Sequence, residues 1–185
     1  MTVIEAIRQI LLTNPTARIL ACAPSNSAAD ILAERLVVLG SQLFRLYAPS
    51  RLASLLPTAL QPFSRKNRFG TFEVPSVPEL SKFRVVVSTC LSASIPFGIG
   101  LPAGHFSHIF IDEAGQACEP EALIAIKPLT TPTTNIILSG DPKQLGPVIR
   151  SKTALKLGFG KSLLDRLTAM PIYDDREQRG ITYVF

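Results

Sequence analysis

Several absences narrow the class of this 185-residue chain. No apolar run approaches the ~18 residues that a membrane-spanning helix needs. The amino terminus, MTVIEAIRQI, lacks the basic, then apolar, then small-residue order of a signal peptide and carries Glu5 among its apolar residues, so none is expected. Cys22, Cys90 and Cys118 are an odd number without C-x-x-C spacing, which disfavours a disulfide framework or a zinc site. Buried thiols in a reducing compartment, cytosol or nucleus, are the expectation. No internal repeat and no low-complexity tract interrupts the chain.

What is present suits one compact domain. Hydrophobic residues make up 46% of the chain, enough to bury a core and too many for a disordered segment. The net charge of +5 is concentrated between positions 41 and 84. Seven basic residues there (Arg45, Arg51, Arg65, Lys66, Arg68, Lys82, Arg84) face two acids, Glu73 and Glu79, and the rest of the chain is neutral. Such a segment suits contact with a phosphate backbone, although a solvated loop would carry the same charges.

Helical and strand patterns alternate. Apolar residues at helical spacing (Val3, Ile4, Ile7, Ile10, Leu11) run up to Pro15. Strands are expected at Arg18–Ala23, Phe44–Tyr47, Arg84–Thr89, His108–Asp112 and Asn135–Ser139. Between the first two, Asn26 or Ser27 would cap a helix, and further helices fall at Glu119–Ile126 and from Lys161 or Ser162 to Leu167. Residues 48–82, rich in Pro and Ser, read as a basic insertion with little regular structure. Continuously apolar strands separated by helices predict a parallel sheet covered on both faces. Ligands of such sheets sit beyond the carboxyl ends of the strands, which draws attention to Pro24–Ser27, Thr89, Asp112–Gln116 and Gly140–Gln144.

Two of those strand ends carry acids and amides. In His108-Ile-Phe-Ile-Asp-Glu-Ala-Gly-Gln116, three apolar residues lead to adjacent carboxylates, one suited to hold a hydrated Mg²⁺ and the next to polarise an attacking water. In Ile136-Ile-Leu-Ser-Gly-Asp-Pro-Lys-Gln144, a strand ends in a turn displaying Asp141, Lys143 and Gln144. Each alone could be a strand ending in solvent, and their order on consecutive strands sharpens the reading.

Together with Ala21-Cys-Ala-Pro-Ser-Asn-Ser-Ala-Ala-Asp30 and Val87-Ser-Thr89, these segments resemble motifs Ia, Ic, II and III of superfamily 1 helicases of the Upf-one-like group. The Armitage-type RNA helicases of RNA silencing are the most similar branch. Leu43–Arg51 and Gly160–Leu167 also look like this family, so the resemblance covers nearly the whole chain. It implies an α/β fold, a RecA-like P-loop NTPase parallel sheet with helices on both faces, forming the first helicase domain over residues 1–185. It further implies ATP and Mg²⁺ as ligands, single-stranded RNA and silencing or decay proteins as partners, and a cytoplasmic location that includes RNA granules. By that resemblance Asp112 coordinates the metal, Glu113 is the catalytic base, and Asp141 and Gln144 lie against the nucleotide, Gln144 at the γ-phosphate. Pro24, Ser25, Asn26 and Thr89 lie along RNA, where small polar groups grip a backbone without reading its sequence.

One family feature is not found. A phosphate loop, Gly-x-x-x-x-Gly-Lys-Ser/Thr, would sit between a first strand and a first helix. Gly160-Lys161-Ser162 fails as a candidate, because Leu155 stands where the first glycine should be. The family's loop would immediately precede Thr2–Ile7, and Ile181–Phe185 resembles the approach to a second domain. The sequence therefore predicts a RecA-like domain lacking its first strand and phosphate loop, inactive as an ATPase by itself. A non-catalytic RNA- or protein-binding module is the alternative, and another P-loop NTPase class a weaker one.

Overall fold

The computed structural model describes residues 2–141 and 144–173, with only the backbone of Ile172. Pro142, Lys143 and the Ile181–Phe185 approach segment lie outside the described residues. Five strands, β1 (Ile19–Ala23), β2 (Leu43–Arg45), β3 (Val85–Thr89), β4 (His108–Ile111) and β5 (Asn135–Leu138), form one sheet in the order β2-β3-β1-β4-β5. Every pairing is parallel. The α/β architecture expected from the sequence is the one observed.

Alternation along the strands builds two cores. Ile19, Ala21 and Ala23 of β1 face one side with Val85, Val87 and Phe110. That side is covered by α1 (Thr2–Thr13), through Ile7 and Leu11, and by α2 (Asn26–Arg35), through Ala29, Leu32 and Ala33. Leu20, Cys22, Val86, Ile109 and Ile111 face the other side. There they meet Leu80 of α3 (Val77–Leu80), the partly buried Ile95 of α4 (Ser94–Gly98), Ala122 and Ala125 of α5 (Glu119–Ile126), and, beyond the single turn α6 (Lys152–Ala154), Leu163 of α7 (Leu163–Thr168).

Caps set the helix boundaries. The α2 cap is Ser25, whose hydroxyl accepts the Ala28 N–H at 3.1 Å, one or two residues before the cap expected from sequence. Ser162 caps α7 by accepting from the Asp165 amide at 3.0 Å, so the Gly160-Lys-Ser162 stretch is a helix start. Arg166 ties α7 to α5 through two 2.7 Å bonds to Glu119. All three cysteines are free, and burial pushes the Cys22 thiol up to about 12, which makes it an inert core group.

Residues 48–82 hold two short 3₁₀ turns, Ala53–Leu55 and Thr58–Phe63, and α3. Leu56, Leu60 and Phe72 anchor the segment in the α1–α2 core, with Phe72 stacked on Tyr47 at 4.3 Å between ring centroids. Most charges of the basic run 41–84 are engaged by partners within the fold. Arg65 pairs with Glu73 and Glu79, while Arg84 donates to the carbonyls of Leu11, Asn14 and Ala17. Arg45 and Arg51 both reach Asp30, outside the segment. Among the described residues only Lys66, Arg68 and Lys82 of this basic run have no anionic or backbone partner, so the surface it presents is smaller than its sequence suggests. No helix among the described residues is long and apolar enough to cross a membrane.

Candidate functional site

The carboxyl ends of β4 and β5 form two interlocked turns. The Asp112 amide donates to the Cys22 carbonyl at 2.8 Å, extending the β1–β4 ladder by one residue. The chain then reverses through Glu113, whose φ of 54° makes it the one non-glycine residue in left-handed conformation among the described residues. A non-glycine residue there costs on the order of 1–3 kcal/mol and persists only where its surroundings over-determine it. They do so here. The Ala114 N–H donates to the Ser139 carbonyl at 2.7 Å, and the Gln116 amide returns to the Glu113 carbonyl at 2.9 Å. The Gln116 side chain also donates to Glu113 Oε2 at 3.0 Å.

Gly140 completes the interlock. With φ of 150°, it lies so close to the first turn that a Cβ would stand 3.0 Å from the Ala114 nitrogen. The exposed Asp141 and Gln144 follow, joined by a 3.1 Å bond from the Gln144 amide to the Asp141 carbonyl, while their side chains stand 3.5 Å apart. The structure thus brings Asp112, Glu113, Asp141 and Gln144 to one corner of the sheet. Asp112 lines a small cavity of about 110 Å³ shared with Ser139 and with Thr2 and Val3 at the start of α1.

The donor chemistry of that cavity fits a hard cation. One carboxylate and two hydroxyls offer oxygen beside the Arg35 guanidinium, Ile31 and Leu32, and no group of three His, Cys, Asp or Glu that could hold a metal ion exists among the described residues. A lone carboxylate suits Mg²⁺, which keeps most of its water shell.

Pro24, Ser25, Asn26 and Thr89 gather along the same edge, because β1 and β3 are neighbours with Ala23 opposite Thr89. Their side chains differ in availability. The Ser25 hydroxyl caps α2, and the buried Thr89 hydroxyl exchanges bonds of 3.0 and 3.1 Å with Ser92 at the turn into α4. Asn26 presents its oxygen to Arg45 at 3.3 Å, leaving its amide nitrogen with no partner among the described residues.

Residues 76–152 match a family model described as an AAA domain. Across 96% of its length the chain is 40% identical to RNA helicase Mov10l1 of Homo sapiens. Across 90% it is 45% identical to putative helicase mov-10-B.1 of Danio rerio, and across 97% it is 34% identical to probable RNA helicase armi of Drosophila melanogaster. The chain is homologous to a segment of the Mov10- and Armitage-type helicases. It spans 14% to 17% of the length of those three relatives. The motif resemblance read from the strand ends is therefore carried by identity along nearly the whole chain.

Sequence reasoning missed a polar cluster on the flank opposite the acid pair. Asp30 accepts from Arg45 at 2.8 and 2.9 Å, from the Tyr47 hydroxyl at 2.8 Å and from Arg51 at 3.1 Å. Burial lowers the Arg45 guanidinium pKa against the opposing pull of Tyr47 and Asp30, and burial raises that of the Tyr47 phenol. The available signal was an arginine inside an apolar run, Leu-Phe-Arg-Leu-Tyr, which requires a buried counter-charge.

Proposed function

We propose that this chain works in an ATP-dependent RNA helicase of RNA silencing or mRNA turnover, acting in the cytoplasm beside silencing or decay proteins. The names of its relatives support the RNA and helicase parts of the reading. In this reading Asp112 would hold Mg²⁺, which would supply charge neutralisation at the triphosphate. Glu113 accepts the proton of the water attacking the γ-phosphate. Gln144 donates to that phosphate, and Asp141 orders the turn that carries it. Pro24, Ser25, Asn26 and Thr89 line the path of single-stranded RNA.

The observation that carries the reading is the interlock of the two turns. Gly140 stands so close to the Ala114 nitrogen, and the Ala114 N–H bonds the Ser139 carbonyl so directly, that the acid pair is held against the end of β5. A strained Glu113 backbone at a strand end is also the kind of conformation that functional sites retain. The test is RNA-stimulated phosphate release by the intact protein that carries this chain. Glu113→Gln is expected to lower turnover by about 10²- to 10⁴-fold while RNA binding persists. Wild-type turnover by that variant would sink the assignment.

A further inference from the structure

We infer that Arg45, itself fixed by Asp30, is a positioning residue that aims the Asn26 amide nitrogen at a backbone phosphate of bound RNA; this rests on the reading of the β1–β3 edge as the RNA path. Asn26 is the first residue of α2 and Asp30 lies one turn later, so both project from the same face of the helix toward the end of β2. Arg45 reaches them both. Its Nε and Nη2 donate to Asp30 Oδ1, its Nη1 donates to the Leu46 carbonyl at 2.8 Å, and Nη2 also lies 3.3 Å from Asn26 Oδ1.

The direction of the amide follows from chemistry. A guanidinium has only donors, so the carboxamide must turn its oxygen to Arg45 and its NH₂ away. That NH₂ has no partner among the described residues. Without Arg45 the amide could rotate by half a turn and offer its oxygen to the ligand, which an anion would repel. Charge points the same way. Asp30 balances one of the two arginines it binds, so a site whose Arg45 side chain is 0% exposed and whose Arg51 side chain is 15% exposed keeps a surplus positive charge. A phosphate, rather than a base edge, answers both the donor and the charge.

The test uses the intact protein that carries this chain, with Asn26→Ala, Arg45→Lys and the double variant. Two readouts are taken: the side-chain amide signal of Asn26 in a ¹H–¹⁵N spectrum, and the affinity for fluorescein-labelled oligouridine. Arg45→Lys should move the Asn26 amide signal in the RNA-free chain. Asn26→Ala should weaken oligouridine binding about tenfold, the loss of one hydrogen bond to a charged group. Arg45→Lys should weaken it by a similar factor, and the double variant no further than Asn26→Ala. Leu60→Ala, in the α1–α2 core, serves as the destabilised control and should lower the melting temperature without moving either readout.

An unmoved amide signal overturns the positioning. Full additivity of the two substitutions shows that Arg45 acts elsewhere and overturns it too, as does an Asn26→Ala variant that binds like wild type. If the signal moves but the wild-type intact protein binds no oligouridine, the RNA reading of this edge fails and the phosphate-facing role falls with it.

Discussion

Ile109 on β4 and Ile136 on β5 are the same residue, paired directly across adjacent parallel strands, yet one is 0% exposed and the other 43%. β4 has β1 on its other side and takes cover from α5 and α7, whereas β5 has β4 alone among the described strands. The same contrast runs through the polar groups. On the β1–β2 flank the Asp30 cluster is sealed among Tyr47, Arg45 and Arg51. Beyond β5, Asp141 and Gln144 are exposed. Burial is thus a property of neighbours rather than of residue type, and the sheet grades from a closed flank to an open one.

Substitutions can break or sharpen that contrast. Asp30→Ala strikes the closed flank hardest, since it strands the Arg45 guanidinium without its counter-charge. Chemical denaturation should show a loss of about 3–5 kcal/mol. Next comes the isoleucine pair. Ile109→Ala should cost about 2–5 kcal/mol by loss of burial and creation of a cavity, and Ile136→Ala less than about 1 kcal/mol. Equal losses in urea melts would erase the distinction between the flanks. Gly140→Ala probes the one tight contact on the open side. Its methyl would meet the Ala114 nitrogen at 3.0 Å, so a loss of about 1–3 kcal/mol is expected, larger than at Ile136 although both positions are exposed.

The smallest effect belongs to an exposed ion pair. Hydrogen bonds from Ser76, and then from Arg65, pull the Glu79 carboxyl from its ordinary 4.5 down to about 2. A depressed acid adds stability above its unfolded pKa and loses it as pH falls through the folded one. The melting temperature of Glu79→Gln should therefore lie slightly below wild type at neutral pH. The gap should close between about pH 4.5 and 2. A constant gap across that range would assign the effect to packing.

The strands were readable because Val85–Val87 and Ile109–Ile111 are unbroken apolar runs, and a run buried on both faces needs no alternation. The second strand was placed one residue late. Its ladder starts at Leu43 because register with Val85–Val87 sets it, and that partner lies 42 residues away. The acid pair was equally plain, standing at the end of such a run. The left-handed turn at Glu113 and the approach of Gly140 were not, since both follow from contact between two separate strand ends. The basic stretch misled for a related reason. Arg45 and Arg51 find their carboxylate at Asp30, and Arg84 finds carbonyls at the end of α1 and the loop after it, none of which local composition reveals.

The backbone at Glu113 also bears on how this chain can change over generations. Glycine, or to a lesser degree asparagine, would occupy that left-handed position at lower cost. The most stable residue at position 113 is therefore different from the one with a carboxylate to offer. Stability and retention of an acid pull in opposite directions there, so under the proposed role of Glu113 the position trades a firmer fold for a carboxylate.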